Sequence, residues 1–351
     1  MGCEANLPPP LLPRRVTRPF DLPFAARTDV ERHRAAAHSR SWMHRMGLLP
    51  DGRARHRDDR HDRPDMPLWA ASVFGDATGP DLDLCSDHAC WWAHLDELLD
   101  GPVGHDAVRV RRLVADLVAV VTGGVPGGAV PAAEPVVAAL ADLWARERQG
   151  MSPAWRARAV GHWAGFLHTC AIASDHRHHR HRPGRRTALG IEDYLQLRAI
   201  SGVVWVILDF AERVGHYEVP PDILESAPMQ AMRRITARVT GLTQDVRSLP
   251  EEEAAGDPDN MVLVLQAQGL TREQAINHVH AVLREQTATF LTEEAHIPRL
   301  CDRLSVPQRE RARVYQHIAD MRAIMRGSHD FCLTGRRSVR GGNNELRCVR
   351  F

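Results

Sequence analysis

Residues 196–211 read QLRAISGVVWVILDFA. Most positions are apolar and no two-residue alternation organises them, so the stretch reads as a helix that is hydrophobic over much of its circumference. Such a helix has no solvated face to offer and belongs at the centre of a large bundle. The flanking sequence supplies that bundle. Helical periodicity recurs over 30–47, 81–100, 105–122, 131–148, 153–173, 190–213, 227–249, 271–294 and 306–327. The 81–100 stretch stops at Gly101-Pro102, a strong terminator. Strand signals are nearly absent: there is no sustained alternation and no hairpin dipeptide between β-branched runs. No repeat of fixed period is visible. The expected fold is all-α, a single large helical bundle over residues 21–337. The proline-rich residues 1–20 and the Gly-, Asn- and Arg-rich residues 338–351 are expected to be a disordered start and a flexible tail.

Composition narrows the function. With 351 residues and 44% hydrophobic content the chain can bury a sizeable core. A formal net charge of +1 gives no electrostatic case for nucleic acid or an acidic membrane surface. All 45 basic side chains other than histidine are arginine, so any anion site must use guanidinium forks, which suit phosphate oxygens. Seven scattered cysteines without a CxxC pair indicate neither a disulfide framework nor a zinc site. There is no run of 18 apolar residues and no apolar signal-peptide core near the start, so a reduced, cytoplasmic protein without a membrane span is expected. Patterns for a P-loop, a dinucleotide fold, a nucleophile elbow or a zinc protease are missing.

Two acidic constellations carry the chemistry. Asp96, Glu97 and Asp100 end the apolar helix that contains Trp91 and Trp92. Positions 96 and 100 share a face one turn apart, which suits a Mg2+ ion that takes a few carboxylates and leaves room for water and phosphate. Taken alone, LDELLD reads more readily as a solvated helix end. Upstream, Asp58-Asp59-Arg60-His61-Asp62 is a closer literal DDxxD, but its neighbours are all polar and supply no dry wall, so a charged loop is expected there. The run His176–His181, interleaved with arginines, is likewise expected to be solvated loop rather than a transition-metal site.

Residues 241–260 read GLTQDVRSLPEEEAAGDPDN. Gln244, Ser248 and Glu252 are spaced i, i+4, i+8, so one helical face presents an amide oxygen, a hydroxyl and a carboxylate, all hard donors. This stretch resembles the second metal motif of the bacterial class I terpene synthases, N-D-x-x-S-x-x-K-E followed by G-D-x-x-N. Here it is Gln244, Asp245, Ser248, Glu251 and Glu252, then Gly256, Asp257 and Asn260. The family carries a diphosphate-sensing arginine 46 residues before the motif's asparagine, and Arg198 stands 46 residues before Gln244 in a Y-L-x-x-R context. The family breaks that helix just after the arginine, and Ser201-Gly202 fits the break, with the Gly202 carbonyl expected to help trigger diphosphate departure. The resemblance spans about residues 18–337.

The resemblance implies an enzyme that ionises and cyclises a linear prenyl diphosphate with three Mg2+ ions. Asp96, with Glu97 or Asp100, and Gln244, Ser248 and Glu252 are the implied metal ligands; Arg198, Arg247, Arg336 and Arg337 are the implied diphosphate contacts. Trp91, Trp92, Trp205 and Phe331 are candidates to line the pocket and stabilise cations, although each can serve equally in core packing. Farnesyl diphosphate is the favoured substrate, with geranyl and geranylgeranyl diphosphate as alternatives, and a monomer or homodimer is expected. Glu97, Gln244 and Glu251 replace Asp, Asn and Lys, and no tyrosine follows Arg336 or Arg337. Arg247, one turn before Glu251, is placed to take over the lysine's role. Pro250 removes a backbone donor and is expected to kink the helix. These departures leave open a catalytically impaired relative. A chain-elongating prenyl synthase fits less well, for want of a second helical DDxxD and of any lysine.

Overall fold

The structure, a computed structural model, describes residues 20–27, 31–49, 65–124, 134–179, 191–201, 203–255 and 259–334. Among them there are thirteen helices and no strand. The first six are α1 (Arg32–Arg45), α2 (Met66–Val73), α3 (Gly79–Asp100), α4 (Ala107–Thr122), α5 (Glu134–Glu147) and α6 (Pro153–His179). The opening stretch forms two helices, α7 (Ile191–Ser201) and α8 (Val204–Val214). The rest are α9 (Pro221–Leu224), α10 (Ala227–Ala255), α11 (Met261–Ala267), α12 (Arg272–Arg303) and α13 (Gln308–Thr334).

The ends follow from local chemistry. Asp106 caps α4 by accepting from the N–H groups of Val108 and Arg109, and Gly123 closes the helix in the left-handed region at φ 81°. Thr271 and Gln274 form a reciprocal capping box at the start of α12. The Glu31 carboxylate bonds the Gly79 N–H and so ties the entry of α1 to that of α3. Pro250 lies inside α10, which nevertheless runs on to Ala255. The break expected at 201–202 falls between Ser201 and Val204, with Gly202 outside the described residues. The run His176–His181 is expected to be loop, yet α6 continues to His179. Nothing in that run forbids a helix.

Nine of the eleven residues of α8 are buried, as a central helix requires. It packs against α3, α6, α10 and α13; α10 in turn packs against α12, α13 and α7, while α4 lies on α6 and α2 joins α3 to α13. One continuous apolar cluster runs from Phe20 to Phe331. Its largest members are tryptophans, and the indole N–H of each of the five whose side chains are fully buried finds an acceptor. Trp42 donates to Asp142, Trp69 to Ser328, Trp91 to the Val136 carbonyl, Trp155 to the Asp209 carbonyl and Trp163 to Glu147. No described helix is long and apolar enough to cross a membrane.

Candidate active site

The face predicted on α10 exists and is buried: Gln244 is 5%, Ser248 1% and Glu252 5% exposed. The Ser248 hydroxyl lies 2.9 Å from the Gln244 carbonyl and 3.0 Å from Glu252 Oε1. Asn260, fully buried, fixes the far end of this face. Its Nδ2 donates to Glu252 Oε2 and to the Asp245 carbonyl, both at 2.6 Å, while its Oδ1 accepts the Val262 N–H and caps α11. Glu252 is thus held through one oxygen by Asn260 and through the other by Ser248, which fixes its rotamer. From α13, the Cys332 thiol points at Gln244 Oε1 across 3.4 Å, and Phe331 lies under the Arg247 guanidinium, 5.7 Å from the ring centroid.

Arg198 crosses from α7 to the same face. Its guanidinium pairs with Asp245 Oδ1 at 3.0 Å, and the other Asp245 oxygen accepts the Tyr194 hydroxyl at 2.6 Å and the Met261 N–H at 3.1 Å. Burial works against the charge on Arg198, but Asp245, with Tyr194 and Glu252, more than offsets it and holds the guanidinium above its ordinary range. Burial pushes the Asp245 carboxyl up, opposed by Arg198, the Tyr194 hydroxyl and the Met261 N–H. Tyr194 and Asp245 stood inside the quoted motifs, but their pairing across two helices carries no signal in spacing.

The first acidic motif sits at the end of α3, which shares α8 as a neighbour with α10. Exposure rises along it: Asp96 and Glu97 are half-buried and Asp100 is exposed. No group of three or more His, Cys, Asp or Glu side chains is placed to hold a metal among the described residues. Gly202, Arg336, Arg337, Gly256, Asp257 and the stretch Asp58–Asp62 lie outside the described residues.

The four aromatic candidates separate. Trp91 is the most deeply buried of the four. It is fully buried, its N–H is bonded to Val136 in α5 at 2.9 Å, and its ring meets Trp163 edge-on at 5.7 Å, so its bulk joins α3 to α5. Trp92 lies among Trp69, His88 and Trp163 at 5.9, 5.5 and 6.4 Å. Half-buried Trp205 already has a cation at its ring, the Arg233 guanidinium 5.0 Å from the centroid, with the His162 ring at 5.3 Å. Phe331 stays beside the Gln244 face.

Two buried charge clusters escaped sequence reading. Asp209 on α8 accepts from Arg158 at 2.9 Å and Arg233 at 3.0 Å and pairs closely with His162. Burial opposes its charge, but His162, Arg233 and Arg158 prevail and hold the carboxyl at about 2. Glu212, one turn on, bonds Arg158 at 2.6 Å, yet burial, with Asp209 nearby, pushes it up to about 8. Glu147 is fully buried between the Trp163 N–H and His88 Nε2, 3.5 Å away, and burial raises it to about 8. Burial, aided by Arg146, holds His88 well below its ordinary value. These residues come from helices far apart in the chain.

An all-helical bundle that sets a buried row of oxygen donors beside an anchored arginine has the architecture of a class I terpene synthase. Residues 87–289 match the model of terpene synthase family 2, C-terminal metal binding. The chain is 35% identical over 314 residues to pentalenene synthase of Streptomyces avermitilis, covering 89% of this chain and 90% of that protein. It is 31% identical over 328 residues to a (-)-beta-caryophyllene synthase of Saccharothrix espanaensis, described as farnesyl diphosphate cyclizing, with 92% and 88% covered. The fold matches that of a linalool/nerolidol synthase from Streptomyces clavuligerus, solved with 2-fluorogeranyl diphosphate, at TM-score 0.76 and 28% identity over 91% of this chain and 99% of that one. The chain belongs to the terpene synthase family.

Proposed function

We propose that the protein ionises farnesyl diphosphate in a Mg2+-dependent reaction and cyclises it to a sesquiterpene. The allylic carbon–oxygen bond breaks, the electron pair leaves with diphosphate, and the resulting cation closes onto a distal double bond before it is quenched by loss of a proton or capture of water. The observation that carries this reading is the buried Gln244–Ser248–Glu252 face with Arg198 anchored beside it. Three oxygen donors on one helix face, with Glu252 fixed at both oxygens, fit a hard divalent cation. Bound Mg2+, proposed as three ions, would act as a Lewis acid on the leaving diphosphate.

The remaining roles belong to the chain. Gln244, Ser248 and Glu252 hold metal on one side; Asp96, with Glu97 or Asp100, holds it on the other. Arg198, Arg247, Arg336 and Arg337 bind diphosphate oxygens by forked hydrogen bonds. Trp92, Trp205 and Phe331 form the aromatic wall, and the Gly202 carbonyl assists departure. The catalytic unit is residues 21–337, acting in the cytoplasm as a monomer or homodimer. The caryophyllene synthase relative and the fluorogeranyl complex support a prenyl diphosphate, the former farnesyl in particular.

The test is incubation of purified protein with Mg2+ and geranyl, farnesyl or geranylgeranyl diphosphate, followed by gas chromatography of the extract. A sesquiterpene from farnesyl diphosphate is expected. Product from another chain length alone corrects the substrate; absence of product with all three overturns active catalysis and favours the impaired relative.

A further inference from the structure

Gly241 stands inside the 29-residue helix α10, where glycine is a poor choice for stability. Its surroundings give the reason. A Cβ there would lie 3.0 Å from Arg198 Cγ and 3.1 Å from Nε, so the arginine's stem passes directly over the bare backbone. The Arg198 guanidinium then reaches the Gly241 carbonyl at 3.4 Å and, one turn further along α10, Asp245 Oδ1 at 3.0 Å. On the far side of that carboxylate the Tyr194 hydroxyl, one turn before Arg198 on α7, bonds Oδ2 at 2.6 Å and the Asp259 carbonyl at 3.2 Å. Asp245 and Tyr194 are almost wholly buried.

We infer that Gly241, Asp245 and Tyr194 form a cradle that positions Arg198 for diphosphate. Gly241 opens the track along which the side chain lies, Asp245 fixes its charged end, and Tyr194 fixes Asp245. None of the three touches the leaving group; they are positioning residues that set how much freedom Arg198 must surrender when an anion arrives. A pre-aimed guanidinium loses less on binding than a mobile one. The inference rests on the proposed function, since it takes Arg198 as a diphosphate contact. It adds the residues that aim it.

The measurements are the affinity of inorganic diphosphate at fixed Mg2+, by calorimetry, and the melting temperature of the same samples. Gly241→Ala displaces the arginine stem but improves helix propensity. Diphosphate affinity is expected to fall at least about fivefold while the melting temperature holds or rises. A residue of purely structural importance would not separate the two in that direction. Tyr194→Phe keeps the ring and loses the hydroxyl, and is expected to weaken diphosphate by a similar factor without changing the Mg2+ dependence of turnover. Wild-type binding with both variants within twofold of it overturns the cradle and leaves the proposed function standing. Wild-type protein that binds no diphosphate in the presence of Mg2+ overturns both.

Discussion

Asp96 is half-buried where Asp100, one turn on, is exposed, so of the two acids on that face Asp96 can offer its carboxylate to a site shielded from bulk water. Asp96→Ala is expected to abolish turnover, whereas Asp58→Ala and Asp59→Ala leave it nearly intact; the reverse outcome in a product assay would move the first metal site to the upstream cluster. Glu147 gives a test of a different kind. Its carboxyl keeps a proton in the folded state up to about pH 8, while the unfolded chain releases that proton near the ordinary value of 4.5. The unfolded state therefore gains on the folded one as pH climbs between those values, by at most about 1.4 kcal/mol per pH unit, and the loss levels off above them. Glu212, also raised to about 8, acts in the same direction. Glu147→Gln keeps an acceptor for the Trp163 N–H and removes one of the two contributions. Its melting temperature should fall less steeply than the wild type's from about pH 5 to about 8; parallel curves would show that Glu147 is ionised in the fold.

At the scale of elements, α10 was readable because its donors repeat with the helix period and its resemblance to a known motif runs over twenty residues. The short helix α11 was not, since seven residues are too few for periodicity to register. Yet the two are one device. Asn260 caps α11 with its Oδ1 and restrains Glu252 on α10 with its Nδ2. Asn260→Ala should cost about 1 kcal/mol through the lost cap and also raise the Mg2+ concentration needed for half-maximal turnover by at least about tenfold. Denaturant melts and Mg2+ titrations read the two separately. A loss of stability with unchanged Mg2+ dependence would reduce Asn260 to a cap. The surroundings of Trp91 were hidden for a related reason. A tryptophan beside an acidic motif is legible as bulk, whereas the direction it faces depends on α5, 45 residues later.

Across the whole molecule, the fold class followed from one central apolar stretch, and the apolar cluster around α8 accounts for it. The polar content of that centre did not follow. Arg158, His162, Asp209 and Arg233 come from α6, α8 and α10, and only the packed bundle joins them. Asp209→Asn would leave buried cations without their counter-charge, a change worth roughly 3–5 kcal/mol, and should lower the urea midpoint markedly. A midpoint near that of the wild type would show the cations to be solvated.

The N-terminal segment meets the last helix. Arg326 on α13 donates to the carbonyls of Leu22 at 3.2 Å and Phe24 at 2.8 Å, and Phe20 packs edge-on to His329 at 6.1 Å. These partners stand about three hundred positions apart, so their bonds reward the chain only after the residues between them have been made and the two segments have been brought together. During synthesis Leu22 and Phe24 emerge long before Arg326 and wait for it. The same helix carries Phe331 and Cys332 to the Gln244 face, so the event that brings the two segments together would also complete the wall proposed for the reaction site.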